Sequence, residues 1–263
     1  MADQRLDQRA DAETYAHRAI TAWLPILYLL ISSLFFLRTY DSAQVKISMM
    51  QMGGLVESHV RSAIAGYLDG DTELAAQVIA GDTKVNELEL AIDGDLGQII
   101  VRRQPAASDL RLILAVSKIV TDLERIGDEA TKIARMGREM QAAGKTPRPA
   151  FVPLGHLSEI AIGMLRRALD AFARLDAAAA ARVAGEDEAI DEEFRAIIRQ
   201  LITYMMEDPR TIGASIQVVW VAKAFERVGD HAKNIAEHVI YVVKGRDVRH
   251  IPLAEMEREA LSR

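Results

Sequence analysis

No cysteine occurs in the 263 residues, which excludes disulfides, thiolate chemistry and Cys-ligated zinc or iron-sulfur centres and fits a reducing compartment. Aromatic residues make up only 5% of the chain and prolines number seven, whereas half of the residues are hydrophobic. With Ala, Leu, Ile, Glu and Arg abundant, this balance favours helix throughout, an all-α protein. Positive charge is in deficit: 32 Lys and Arg against 38 Asp and Glu give a net charge of -6. The basic footprint that grips nucleic-acid phosphates is missing, so DNA and RNA are not expected partners. There is no Walker-type loop, G-x-S-x-G or H-E-x-x-H, and no Glu-x-x-His of the ferritin-like di-iron kind. The expectation is a protein that is not an enzyme.

Long apolar runs are also rare. One, Ala19 to Leu37, has 19 consecutive uncharged residues, the lower bound for a membrane span, and contains Pro25, Ser32 and Ser33. Its leader mixes Arg5, Arg9 and Arg18 with Asp3, Asp7, Asp11 and Glu13 and lacks the basic character and cleavage site of a secretory signal. Two readings stand: a membrane anchor, or an extension over residues 1–39 ahead of the folded part.

What is present is a repeat. LERIGDEATKIA from Leu123 matches FERVGDHAKNIA from Phe225 with seven identities in twelve positions, at an offset of 102. Upstream, Asp82 and Asn86 answer Asp187 and Asp191 at an offset of 105, as Tyr67 answers Phe172 and Asp71 answers Asp176. Pro105 and Pro209 mark the turn that absorbs the three-residue difference. Each half reads as three helices: about Tyr40–Asp69, Thr72–Arg103 and Ala107–Met140, then Leu154–Leu175, Ala177–Met206 and Thr211–Lys244. The expected architecture is two tandem three-helix bundles, residues 40–143 and 154–250, with six main helices. A Pro- and Gly-containing linker, 144–153, joins them and a tail, 251–263, follows. Ile113, Val116, Ile119, Val120 and Leu123, and likewise Val218, Val221 and Phe225, recur at helical spacing and read as core; Trp220 reads as packing too.

Glu124 and Asp128, and Glu226 and Asp230, lie four apart and share a helix face, where like charges cost roughly 0.2 to 0.5 kcal/mol. That cost, met twice at equivalent places, suggests a compensating cation. Asp82 with Asn86, and Asp187 with Asp191, repeat the spacing on the second helices, and Glu237 extends the second stripe. Helices lying side by side would merge these into oxygen-rich patches suited to a divalent or trivalent metal, weaker in the first half where Asn86 is neutral. The alternative is a solvated face, with Arg125 and Arg227 paired to neighbouring carboxylates. His231 and His238 beside the second stripe read as partly exposed surface histidines. Gly127 and Gly229, costly by roughly 1 kcal/mol each inside a helix, point to a close helix approach.

The run MGGLVE at Met52, QPAASDLR at Gln104 and the two E-R-x-G-D stretches together resemble the PhoU family, over about Tyr40 to His250. The resemblance implies two three-helix bundles in tandem, homodimerisation and a cytoplasmic regulator that represses the phosphate-starvation response. It also implies contact with the ATPase of the phosphate ABC transporter and with the phosphate sensor histidine kinase, so that any membrane association is indirect. Family members with multinuclear clusters hold metal through paired acidic motifs, which here fall on Asp82, Glu124, Asp128, Asp187, Asp191, Glu226 and Asp230; iron, zinc, manganese and magnesium are the expected ions. The first 39 residues have no counterpart in this pattern. The alternative function is a carboxylate metal-storage or di-metal redox protein.

Overall fold

A computed structural model describes residues 44–142 and 153–262. Ala19 to Leu37 and all of the expected linker but Pro153 lie outside the described residues. No helix among the described residues is long and apolar enough to cross a membrane.

The first bundle comprises α1 (residues 44–69), α2 (Thr72–Arg103) and α3 (Ala107–Ala142). Gly70 takes φ 73, and Asp71 then caps α2, its carboxylate accepting from the Glu73 and Leu74 amides at 3.0 Å each. The second bundle repeats the device. α4 (Leu154–Arg174) ends at Leu175 with φ 52, and Asp176 caps α5 (Ala177–Gly185) by accepting from the Ala179 amide at 2.9 Å. The repeat therefore places a left-handed residue and an aspartate cap at matching corners, although Leu175 enters that region at a cost Gly70 avoids.

Two departures from the expected helices occur here. The helix expected from Ala177 to Met206 is interrupted at Glu186, so that α5 gives way to α6 (Asp187–Glu207). The expected tail contains α8 (Leu253–Leu261), whose Met256 and Ala260 are buried. α8 is anchored by Arg246, which donates to Glu255 at 2.8 Å and Glu259 at 2.7 Å. Between α6 and α8, a short 3-10 turn (Pro209–Thr211) leads into α7 (Ile212–Lys244), which stops at Gly245 with φ 74.

α3 and α7 are the spine. α7 packs on α3, α4, α5 and α6, and α3 packs on α2 and α7. The positions read as core are buried, from Ile113 to Leu123 on α3 and Val218, Val221 and Phe225 on α7. α1 adds Met49, Met52, Val56, Val60, Ala63 and Tyr67 at three- and four-residue spacing, and one continuous apolar cluster runs through both bundles. Trp220 is the exception: it is 61% exposed, because its position, like that of its repeat-mate Lys118, faces away from the core.

The two E-R-x-G-D glycines sit where α2 meets α3 and α6 meets α7. A Cβ on Gly127 would lie 3.3 Å from Val85 Cγ1, and one on Gly229 only 2.5 Å from Ile190 Cδ1. Val85 and Ile190 are themselves repeat-mates, both essentially fully buried. Each bundle thus sets a branched side chain of its second long helix against the bare backbone of its last. Gly127→Ala, which gains about 1 kcal/mol of helix propensity against a neighbour that must yield little, is expected to leave stability almost unchanged. Gly229→Ala must displace a buried isoleucine and is expected to cost about 1–3 kcal/mol. Urea denaturation of both variants tests this, with Ile190→Val recovering part of the Gly229→Ala loss.

Candidate functional site

Because Val85 and Ile190 fix the helix approach, the carboxylates flanking them come to face the E-R-x-G-D acids. In the first bundle Asp82 and Glu124 lie within each other's electrostatic reach, together with Asp128 and Glu89. Burial, reinforced by Asp128, pushes the Glu124 carboxyl above its ordinary range, and Glu89 is raised by burial and Asp93. Asn86 stands exposed at the edge. Arg125 bridges its neighbours at 3.4 Å from Glu124 and 3.9 Å from Asp128, while the Thr131 hydroxyl donates to Asp82 at 3.2 Å. Glu89 and His59 are additions that the spacing of the acidic pairs did not show. His59, brought over from α1, lies in the field of Asp82; burial holds it below the usual histidine range and its Nδ1 has no hydrogen-bond partner.

In the second bundle Asp187 and Asp191 on α6 and Glu226 and Asp230 on α7 share one neighbourhood. Burial raises the Asp230 carboxyl, with Glu226 and Asp187 adding to the effect. Three cations offset this charge: Lys233 donates to Asp187 at 2.6 Å, Arg195 to Asp191 at 3.0 Å, and the Lys223 ammonium sits against Glu226. Glu226 Oε2 is buried with the Lys223 ammonium as its counter-charge and has no hydrogen bond. That oxygen is the one feature here that fits an added cation. The donors are otherwise engaged, and among the described residues no group of three or more His, Asp or Glu is close enough to hold a metal ion. The expected acids are thus gathered into two patches without forming a ready-made coordination shell.

The second patch opens into a cleft of about 970 Å³ bounded by α3, the α5–α6 break, α7 and the start of α8. Its floor is a polar seam between the bundles. The buried Asp122 on α3 accepts from His231 Nδ1–H at 2.8 Å and from Asn234 at 3.1 Å, with His238 Nε2 3.8 Å away. Both histidines line the seam: His238 is buried and not the partly exposed surface histidine that the sequence suggests, whereas His231 is partly exposed as expected. The opposing α3 partner that buries them lies more than 100 residues away in sequence. His238, only 5% exposed, is pushed down to about 4 by burial. Glu237, 7% exposed, is raised to about 7 by burial, against the pull of Lys233 and Arg249.

Glu237 gives this cleft a pH signature. Below about 4.5 its carboxyl is neutral in the folded and unfolded chain alike; between 4.5 and about 7 only the unfolded chain ionises, so stability falls as pH rises through that window. Glu237→Gln is expected to be more stable than the unaltered protein at pH 8 and indistinguishable from it at pH 4, as thermal or urea denaturation at the two pH values will show.

With this geometry in view, comparison with known proteins is specific. The PhoU domain family matches residues 49–136 and 154–239, one match to each half of the repeat. A phosphate-specific transport system accessory protein PhoU homolog from Pseudomonas putida is 49% identical over 216 residues, covering 82% of this chain and 84% of the relative. The Escherichia coli accessory protein PhoU is 44% identical over 214 residues, covering 81% and 88%. The crystal structure of PhoU from Pseudomonas aeruginosa superposes with a TM-score of 0.76 at 46% identity, covering 79% of this chain and 99% of that one. The resemblance carried by the E-R-x-G-D repeats is therefore a relationship along both bundles, and the chain belongs to the PhoU family.

Proposed function

We propose that this protein regulates phosphate uptake and phosphate-starvation signalling as a non-enzymatic adaptor. The observation that carries the reading is identity of 44–49%, over four-fifths of this chain, with proteins named as accessories of a phosphate-specific transport system. In this reading a cytoplasmic homodimer represses the starvation response through the ATPase of the phosphate ABC transporter and the phosphate sensor histidine kinase. Two long helix pairs with charged outer faces supply a rigid scaffold for such contacts, and no catalytic motif competes for the role. Deleting the gene is expected to leave phosphate uptake and starvation genes active in phosphate-rich medium; repression that persists unchanged would sink the reading.

The regulator is further proposed to take up metal at the acidic patches. Glu226, Asp230, Asp187 and Asp191 are the preferred ligands, ahead of Asp82, Glu124 and Asp128. Glu226 Oε2, buried with Lys223 as its counter-charge and no hydrogen bond, supports this order. A hard cation held by carboxylates would supply charge neutralisation across α6 and α7. Lys223, Lys233 and Arg195, which now occupy those oxygens, would have to swing away as it enters. Iron, zinc, manganese or magnesium content of the purified protein should drop at least tenfold in Glu226→Ala/Asp230→Ala while the helical circular dichroism is kept. Equal metal content in the two proteins would remove the site. Storage or redox chemistry at the same carboxylates is the second reading, and it too rests on the Glu226 oxygen.

A further inference from the structure

The repeat makes the seam between α3 and α7 nearly two-fold, so each groove along it has a mate, and the two mates differ in charge. One forms part of the cleft beside the second acidic patch. The other is a separate recess of about 360 Å³ on the far side, with Glu129, Lys132, Arg135 and Met136 from α3 facing Trp220, Lys223 and Arg227 from α7. Four cations and one carboxylate line it, in a chain whose net charge is -6. At the equivalent positions of the mate, Lys132 is replaced by Asn234, Arg135 by Glu237 and Lys223 by Thr121. The mate keeps a cation at Arg125, the position equivalent to Arg227, and has Lys118 where this groove has Trp220, so the two grooves differ in their excess of positive charge and in the indole.

Its parts are held in place. Glu129 is buried beneath the surface, its side chain 4% exposed, and fixes two of the cations, Lys132 at 2.8 Å and Arg227 at 2.7 Å. Two ion pairs to one carboxylate leave guanidinium and ammonium donors over, on side chains 48% and 44% exposed and so open to an incoming acceptor. Arg135 has no hydrogen-bond or ion-pair partner among the described residues. Beside these cations stands the indole of Trp220, 61% exposed although it lines the recess. An inorganic anion would use the cations and leave the indole and Met136 idle. A ligand with an anionic group and a flat aromatic body would use both, through charge-assisted hydrogen bonds and ring stacking. The volume is at the lower end of small-molecule pockets, roughly 300–1,000 Å³.

We propose that this groove binds a nucleoside phosphate, with the base stacked on Trp220 and the phosphates held by Arg135, Lys132 and Arg227. The inference stands apart from the metal and phosphate-uptake readings, since among the described residues the side chains of Trp220, Arg135, Lys132 and Arg227 form no ion pair with the proposed metal ligands; Lys223 alone lines the groove and also pairs with Glu226.

Calorimetric titration of the full chain with ATP, in EDTA so that no metal bridges the ligand to the acids, tests it. Saturable binding is expected, weakened at least tenfold by Arg135→Glu. Trp220→Leu is expected to bring the affinity for ATP down to that for tripolyphosphate, and Asp191→Ala to leave binding intact. The proposal is overturned if ATP does not bind, if tripolyphosphate binds the unaltered protein as tightly as ATP, or if Arg135→Glu binds normally. It also falls if Asp191→Ala abolishes binding, or if Trp220→Leu alters only self-association in sedimentation.

Discussion

The packing of a branched side chain against a bare glycine backbone, Val85 on Gly127 and Ile190 on Gly229, governs how closely the second long helix of each bundle approaches the last. The two acidic patches depend on that spacing. A Cβ on Gly229 would press on Ile190, which lies between Asp187 and Asp191 where α6 meets α7. The intrinsic cost of glycine in a helix, roughly 1 kcal/mol, is offset by burial of Val85 and Ile190. The same contact accounts for an otherwise unfavourable row of like charges: carboxylates separated in sequence are drawn together because apolar groups between them pack. Nearby arginines and lysines then settle on the acids as counter-charges, unevenly enough to leave one Glu226 oxygen unsatisfied.

A second consequence lies at the seam. Divergence of the repeat has rewired its polar contacts: Glu129 on α3 takes Arg227, whereas its counterpart on α7 is His231, which turns to Asp122. An imidazole in place of an acid thus turns this position from a guanidinium to a carboxylate partner and leaves the two sides of the seam chemically distinct. Burial sharpens the distinction, since Glu237 and His238 are held toward their neutral forms on one side while cations crowd the other.

Most of the architecture was legible in the sequence because the repeat supplies its own alignment. Asp71 and Asp176 cap at matching corners, α2 begins and ends where the pattern says, and the two glycines announce a close approach. The break at Glu186 departs from the helix expected over AAAAARVAGEDEA, and Gly185, where α5 ends, is its one local signal. α8 was read as tail, as a nine-residue helix earns its order only by burying Met256 and Ala260. The acidic patches were visible as spacings, yet His59, Glu89 and the seam partners were not, because they meet across helices and leave no local period. Trp220 misled for a related reason: size suggested burial, and only the fold shows that its helix face looks outward.

The continuity of the apolar cluster has one more implication. Duplication built the chain from two similar modules, but α3 and α7 now bury each other, and a Cβ on Gly53 of α1 would lie 2.8 Å from Leu169 of α4. Cutting between the halves would lay bare apolar side chains of that cluster together with the polar seam. The modules have therefore surrendered autonomy: they repeat one pattern but form one unit in cooperativity, so that heat or denaturant should melt them in a single step and an isolated half should aggregate where the whole chain folds.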